Sequence, residues 1–426
     1  MDPRRLLTDS FSAAVAAADP MRIVAASLPE PPDPALGRTL VVGAGKAAAS
    51  MARAVETAWP AHAPLDGVVI TRYAHGLPTE RLRVVEAGHP VPDVAGERAA
   101  AGILAEAARL GPGDLLLALV SGGGSSLLSL PVASVPMEDL KAVTRALLAS
   151  GTPIQDMNVV RKHLSRIQGG RLAQATAARV CALVISDVAG DDVSAIASGP
   201  CAPDPSTYAD ALEVLRRRGV EAPATVAGHL ERGARGEVDE TPKPGDPLFA
   251  RVENRLIATA HRSLEAAAAV FARAGVRPVI LGDTVTGEAR DVAQVMAALV
   301  REARGHGGVF APPVVLISGG ECTVTLRGSG RGGRCSEFLL ALAAELQGME
   351  GVSAIAADTD GIDGVESNAG ALMLPDTAAR AAALGLDARR HLDANDAYGY
   401  FAALGDLVVT GPTRTNVNDY RAILVA

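Results

Sequence analysis

Short apolar runs alternate with longer stretches of helical periodicity along the first half of the chain. Leu40-Val41-Val42, Gly67 to Ile70, Leu82 to Glu86, Leu115 to Val120 and Val180 to Ser186 read as strands. Between them, residues 3–28, Ala47 to Trp59, Ala95 to Leu110, Asp139 to Ser150 and Val159 to Ala178 read as helices. Pro31 to Pro34 and Gly111-Pro112-Gly113 mark breaks. Strands alternating with helices predict an α/β fold with a doubly wound, largely parallel sheet. Residues 231–248 are polar and rich in Gly and Pro, and mark a domain boundary. The alternation then restarts with strand Arg255 to Thr259, helix 262–274, strand Pro278 to Leu281, helix 287–304 and strand Val314 to Ser318. Strand 352–357, helix 375–384 and strand 407–410 follow. Two α/β domains are therefore expected, over 1–240 and 250–426, the second the smaller.

Composition narrows the partners. The 426 residues are 48% hydrophobic, 21% charged and only 3% aromatic, with Trp59 the single tryptophan. Few aromatics leave few platforms on which single-stranded bases stack. A net charge of -8 argues against nucleic acid or an anionic membrane as the main partner. The uncharged stretch Leu115 to Met137 is interrupted by glycines and prolines and reads as strand plus loop rather than a membrane span. Cys181, Cys201, Cys322 and Cys335 form no C-x-x-C pair and no zinc-like spacing. Scattered thiols and no signal-peptide pattern place the expectation in the cytoplasm. Small-molecule substrates are expected, with a homodimer as the only protein partner considered.

Three glycine-rich turns follow apolar runs: Gly43-Ala44-Gly45-Lys46, Ser121-Gly122-Gly123-Gly124-Ser125-Ser126, and Ser318-Gly319-Gly320-Glu321. Bare backbone amides at strand ends are suited to phosphate or carboxylate. The first fits G-x-G-x-x-A, but the acid expected about 20 residues on is met only loosely by Glu56 and Asp66. Lys46 within it is a point charge for an anion. The second is no G-x-S-x-G elbow, so Ser125 is not read as a nucleophile. No G-x-x-x-x-G-K-[ST] motif is present.

Asn158, Arg161 and Ser165 share a helical face that suits an acidic substrate, while the lone His163 carries no catalytic expectation. Asp187 follows a buried strand, where α/β ligands bind, and is a candidate for Mg²⁺ or a hydroxyl proton. Arg327 to Arg334 sets arginines in a glycine loop, apt for a transferring phosphoryl group. Asp358, Asp360 and Asp363 follow another strand without completing a calcium loop, so Mg²⁺ with nucleotide phosphates is the better reading.

Taken in order, these segments resemble the class II glycerate kinases, the MOFRL family. The match continues through Asn158 to Ser165, Ile185-Ser186-Asp187-Val188, Ser198-Gly199-Pro200, Gly332-Gly333-Arg334, Thr359-Asp360-Gly361 and Thr415 to Asp419. The resemblance implies a Rossmann-like N-terminal domain, a C-terminal MOFRL domain and an active site in the cleft between them. It implies ATP-dependent phosphorylation of D-glycerate on the 2-hydroxyl with Mg²⁺. Lys46 and Arg334 become the catalytic charges, and Asp187 orients or deprotonates the hydroxyl. Ser121, Asn158 and Arg161 are the expected substrate contacts. Gly43, Gly45, Gly122, Gly123, Gly124, Ser125, Gly319, Gly320, Glu321 and Asp360 would hold the nucleotide, with Asp187 and Asp360 on the metal. Cys335-Ser336 replaces the family's usual Asn-Gln, and a low pKa at Cys335 would make activity sensitive to thiol reagents. The alternative is an NAD(P)H-dependent hydroxypyruvate reductase. That needs a nicotinamide site, for which the only fingerprint is the loose one around Lys46.

Overall fold

In the computed structural model, which describes residues 2–426, the first-half apolar runs pair into one sheet. Its strands are β1 (Thr39–Ala44), β2 (Leu65–Arg72), β3 (Arg83–Ala87), β4 (Leu115–Val120), β5 (Arg179–Ile185) and β6 (Val252–Ala258). They lie in the order β3-β2-β1-β4-β5-β6. From β3 to β5 every pairing is parallel. Every position of β1 and β4 is buried, as a parallel sheet covered on both faces requires. The strand order reverses between β1 and β4. At such a switch point neighbouring loops diverge and leave a crevice beyond the carboxyl ends of the strands.

The later strands build a second sheet. They are β7 (Arg277–Gly282), β8 (Gly287–Glu288), β9 (Val314–Ser318), β10 (Cys322–Thr323), β11 (Val352–Asp358), β12 (Gly370–Met373), β13 (Leu407–Val408) and β14 (Asp419–Val425). The order is β13-β12-β11-β14-β9-β7, with β8 and β10 forming a separate short pair. The sheet is mixed: β14 runs antiparallel to both β9 and β11, while β7 and β9 are parallel. The last strand of the chain thus sits near the middle of its sheet. Its start, Asp419, pairs with Asp358 at the end of β11, and Arg421 pairs with Ser318 at the end of β9. Three chain segments rich in polar residues are gathered at one sheet end in this way.

Several expectations need correction. The opening helix runs Pro3–Ala17, not 3–28. Pro20 begins a separate turn, since its ring cannot continue the preceding helix. The helix expected over Val159 to Ala178 is two pieces, Ile154–His163 and Arg171–Gln174. Gly169 and Gly170, both at positive φ, lie between them. The strand expected to open the second domain is instead β6, at the edge of the first sheet. The chain divides into Pro20–Ile257 and a second unit made of Ala258–Ala426 with the chain up to Asp19. The opening helix therefore belongs with the C-terminal unit rather than with residues 1–240. Leu6, Leu7, Phe11 and Ala14 join the core formed by Leu264, Phe271 and Tyr420.

Candidate functional site

In the first unit the site is built at the ends of β1, β4 and β5. Gly45 has φ +141°, and a Cβ there would fall on the Ser121 hydroxyl. The two glycine turns interlock: Gly45 N donates to Ile70 O (3.1 Å), Lys46 N to Gly122 O (2.8 Å) and Ala47 N to Ser121 Oγ (3.1 Å). Gly43 lies inside β1, between β2 and β4. The amides of Gly45 and Lys46 are thus spent on the fold, and the ligand-binding role expected of Gly43 and Gly45 passes to the second turn. There the amides of Gly122, Gly123, Ser125 and Ser126 have no backbone acceptor among the described residues, while Gly124 N donates to Ser121 O. Ser121 is fully buried and its hydroxyl links the two turns.

Over Gly123 lie two side chains. A Cβ added there would stand 2.8 Å from His89 Nε2 and 3.4 Å from Lys46 Cγ, and φ is +80°. Sequence reasoning passed over His89. The signal available was a histidine between Gly88 and Pro90, directly after an apolar run. Asp187, half-buried, follows β5, which neighbours β4 in the sheet.

Beside this turn, Ser125 Oγ lies 2.9 Å from Ser198 Oγ, which in turn donates to Asn158 Oδ1 (3.2 Å). Ala197 and Ser198 both adopt positive φ, an uncommon strain that fixes Ser198 in place. Asn158 is buried, and its Nδ2 donates to Ala195 O. Its Oδ1 holds the Ser198 hydroxyl. His163 is fully buried against Tyr208 and Glu240, and Lys162 faces Asp204, so both are structural.

Arg161 differs from these neighbours. It lines a cavity of about 240 Å³ together with Ser125, Ser126, Ser129, Leu140 and Met157. Burial pushes its pKa below the ordinary arginine value, and no carboxylate offsets this. A desolvated guanidinium is costly to leave without an opposite charge.

The second unit carries its charges at the gathered ends of β9, β11 and β14. Arg334 opens the helix Arg334–Leu346. Its guanidinium meets Asp419 Oδ1 (2.7 Å), Asp358 Oδ2 (2.7 Å) and Glu321 Oε1 (2.9 Å). Burial alone would lower its pKa, but the three carboxylates more than reverse this and hold it well above the ordinary value. Asp419 also pairs with the buried Arg421 (3.0 Å), whose Nη1 donates to Gly319 O. Burial raises the Asp419 carboxyl, and the two guanidiniums overcome that and hold it below the usual range. Gly319 N is likewise used internally, on Gly282 O. Gly320 has φ +103°, and its Cβ would strike the Val285 backbone, so only glycine presents Glu321 here. Asp360 Oδ1 accepts from Ile362 N, closing the loop after β11. The remaining arginines of the glycine loop are not in this cluster: Arg331 stacks on Tyr398, and the Arg327 and Gly328 amides donate to Asn395.

Asp363, the third of the carboxylates from the end of β11 onward, serves the fold. It is fully buried and accepts from Cys335 N (3.0 Å), Ser336 N (2.8 Å) and Ser336 Oγ (2.5 Å). It caps the helix that carries Arg334, and Ser336 thereby has a partner. Burial pushes the Asp363 carboxyl up to about 6. Cys335 is also fully buried, and burial with the nearby carboxylates pushes its thiol well up. The low thiol pKa on which reagent sensitivity depended is absent.

Comparison with known proteins agrees with both halves. Residues 6–231 match the family model described as "Domain of unknown function (DUF4147)", and residues 314–419 match the MOFRL family model. A glycerate 2-kinase of Pyrococcus horikoshii is 39% identical over 98% of this chain and 96% of its own. The crystal structure of glycerate kinase from Thermotoga maritima is 37% identical, covers 99% of both chains and superposes with a TM-score of 0.87. A protein of Agrobacterium vitis with a provisional hydroxypyruvate reductase name is 52% identical over 99% of this chain and 94% of its own. With both domain models matched in order and similarity running the full length of glycerate kinases, the chain belongs to the MOFRL family of glycerate kinases.

Proposed function

We propose that the protein phosphorylates D-glycerate on its 2-hydroxyl at the expense of ATP. The observation that carries this reading is the pairing of two kinds of anion receptor at one sheet end. These are the bare amides of Gly122, Gly123, Ser125 and Ser126 with Lys46 over them, and the uncompensated Arg161 beside them. Arg161 takes the glycerate carboxylate, and Lys46 stabilises charge on the transferring group. Asp187 accepts the hydroxyl proton as the oxygen attacks the γ-phosphorus and the bond to the leaving ADP breaks. In the second unit Glu321, Asp358 and Asp419 hold Arg334 in a fixed orientation, its planar fork suited to a phosphate.

The described residues contain no group of three or more His, Cys, Asp or Glu placed to hold a metal ion. Mg²⁺ keeps several waters and leans on one or two carboxylates plus substrate phosphates, so it needs no such cluster. Asp187, just after β5, is the carboxylate of the first unit that we assign to it. When bound, the ion supplies charge neutralisation on the phosphate oxygens.

The provisional name of the Agrobacterium vitis relative favours a second reading, hydroxypyruvate reduction. Against it, the first glycine turn donates its Gly45 and Lys46 amides internally, and those amides would have to face a dinucleotide pyrophosphate. One experiment separates the two. Enzyme, D-glycerate, ATP and Mg²⁺ should give ADP and 2-phosphoglycerate by NMR, whereas hydroxypyruvate with NADH or NADPH should leave the reductant unoxidised. Reductant oxidation without ADP formation reverses the assignment.

A further inference from the structure

The cavity at Arg161 is too large and too apolar to be explained by a three-carbon hydroxy acid. Its volume of about 240 Å³ is room for about eight waters at ~30 Å³ each. Leu130, Leu140, Leu148, Ile154 and Met157 form much of its lining, with Val91 and the flanking prolines. D-glycerate carries polar groups on all its carbons and offers these walls nothing to bury. Leu148 and Ile154 are 60% and 50% exposed, an unusual condition for large aliphatic side chains converging on one cavity. The cationic lining is Arg161, Arg145 and Lys141, and of these Lys141 is already paired with Glu138.

We propose that this cavity is a subsite for branched aliphatic 2-hydroxy acids, with Arg161 on the carboxylate and Leu140, Leu148 and Ile154 around the alkyl tail. The proposal rests on the reading of Arg161 as the carboxylate anchor. It widens the ligand class of the site from glycerate to monocarboxylates with an apolar body. An apolar wall of Leu130, Leu140, Leu148, Ile154 and Met157 beside the desolvated Arg161 guanidinium fits one carboxylate on a greasy chain.

The test is calorimetric titration of the full-length protein, without nucleotide, with 2-hydroxy-4-methylpentanoate and with lactate. The two share carboxylate and hydroxyl and differ only in the tail. The branched acid should bind at least about tenfold more tightly, as burial of its added carbons implies. Ile154→Glu and Leu148→Glu alter exposed positions and should bring the two affinities together while lactate binding persists. Arg161→Gln should weaken both acids. Equal affinities in the unaltered protein, or a preference that survives both glutamate variants, would overturn the tail pocket. If Arg161→Gln leaves both affinities unchanged, the carboxylate anchor itself is wrong, and the reading it came from falls with it. Because no phosphoryl transfer is read, a protein that binds the branched acid but fails to make ADP refutes the kinase assignment alone.

Discussion

Residues of the same type do different work here because burial and partners differ. Lys162 is buried against Asp204, whereas Lys46 lies over the turn at Gly123. Lys46→Ala should lower kcat at least about 10²-fold with little change in stability, since it removes one charge-stabilising donor. Arg334 is a harder case, because its fork neutralises the almost fully buried Asp358 and Asp419. Arg334→Ala should cost about 3–5 kcal/mol of stability by stranding those carboxylates. Arg334→Lys should keep most of the stability and still lose at least about 10² in rate, because a point charge cannot replace the planar fork. Urea titrations with steady-state kinetics on both variants check this, and normal turnover in the lysine variant would take the fork out of the mechanism. Asp363 makes a pH prediction. Its folded pKa of about 6 lies above the ~3.9 of an unfolded aspartate. The folded state therefore binds more protons between those values, and this group's contribution to stability falls as pH rises from 4 to 6. The difference is worth roughly 2–3 kcal/mol. Asp363→Asn removes the titration, so its destabilisation should be larger at pH 4.5 than at pH 7; a cost independent of pH would refute it. Lys46, Arg334, Asp187 and the carboxylates Asp358, Asp360 and Asp363 stand out in the sequence as charges at strand and helix ends. His89 does not, because a single histidine in a loop has no periodic pattern to expose it.

At the level of elements, the turns are fixed by close backbone approach. Gly45 combines φ +141° with a collision against Ser121, while Gly190 has φ +81° with open space around it. Gly190→Ala should cost about 1 kcal/mol from backbone strain alone. Gly45→Ala should cost more, by about 2 kcal/mol, and should also lower activity by shifting Lys46, which follows it in the chain. Thermal unfolding of the two variants decides the matter, and equal losses would mean that the interlock tolerates a methyl group. Strands and their glycine turns could be read from apolar runs ending in glycine. The use of each amide could not, since Gly45 N and Gly122 N look alike in sequence and only one meets a carbonyl. The helix expected across residues 159–178 is broken: it ends at His163, and helix resumes only at Arg171, after Gly169 and Gly170 at positive φ.

For the whole molecule, chain order and structural unit part company at the N-terminus. The opening helix buries Leu7 and Phe11 almost completely in the core of the C-terminal unit, and Tyr420 OH donates to Ser10 Oγ (2.8 Å). Beginning the chain at residue 20 should therefore destabilise the C-terminal unit by about 5 kcal/mol, at roughly 1.5–3 kcal/mol for each large apolar side chain exposed. Hydrogen exchange should show lost protection in β11 and β14 and unchanged protection in β1 and β4; the opposite pattern would contradict the division. No helix among the described residues is long and apolar enough to cross a membrane. By itself the sequence determined the parallel α/β character of the first half, the glycine turns at its strand ends and the anionic nature of the ligands. Those depend on local periodicity and on charges that sit next to each other in the chain. Only the tertiary structure decided that β14 enters the middle of the second sheet and that three distant carboxylates close on Arg334. Only it left Arg161 in a cavity without a counter-ion. Such outcomes depend on which surfaces are excluded from water, and burial is a property of contacts between segments far apart in the chain.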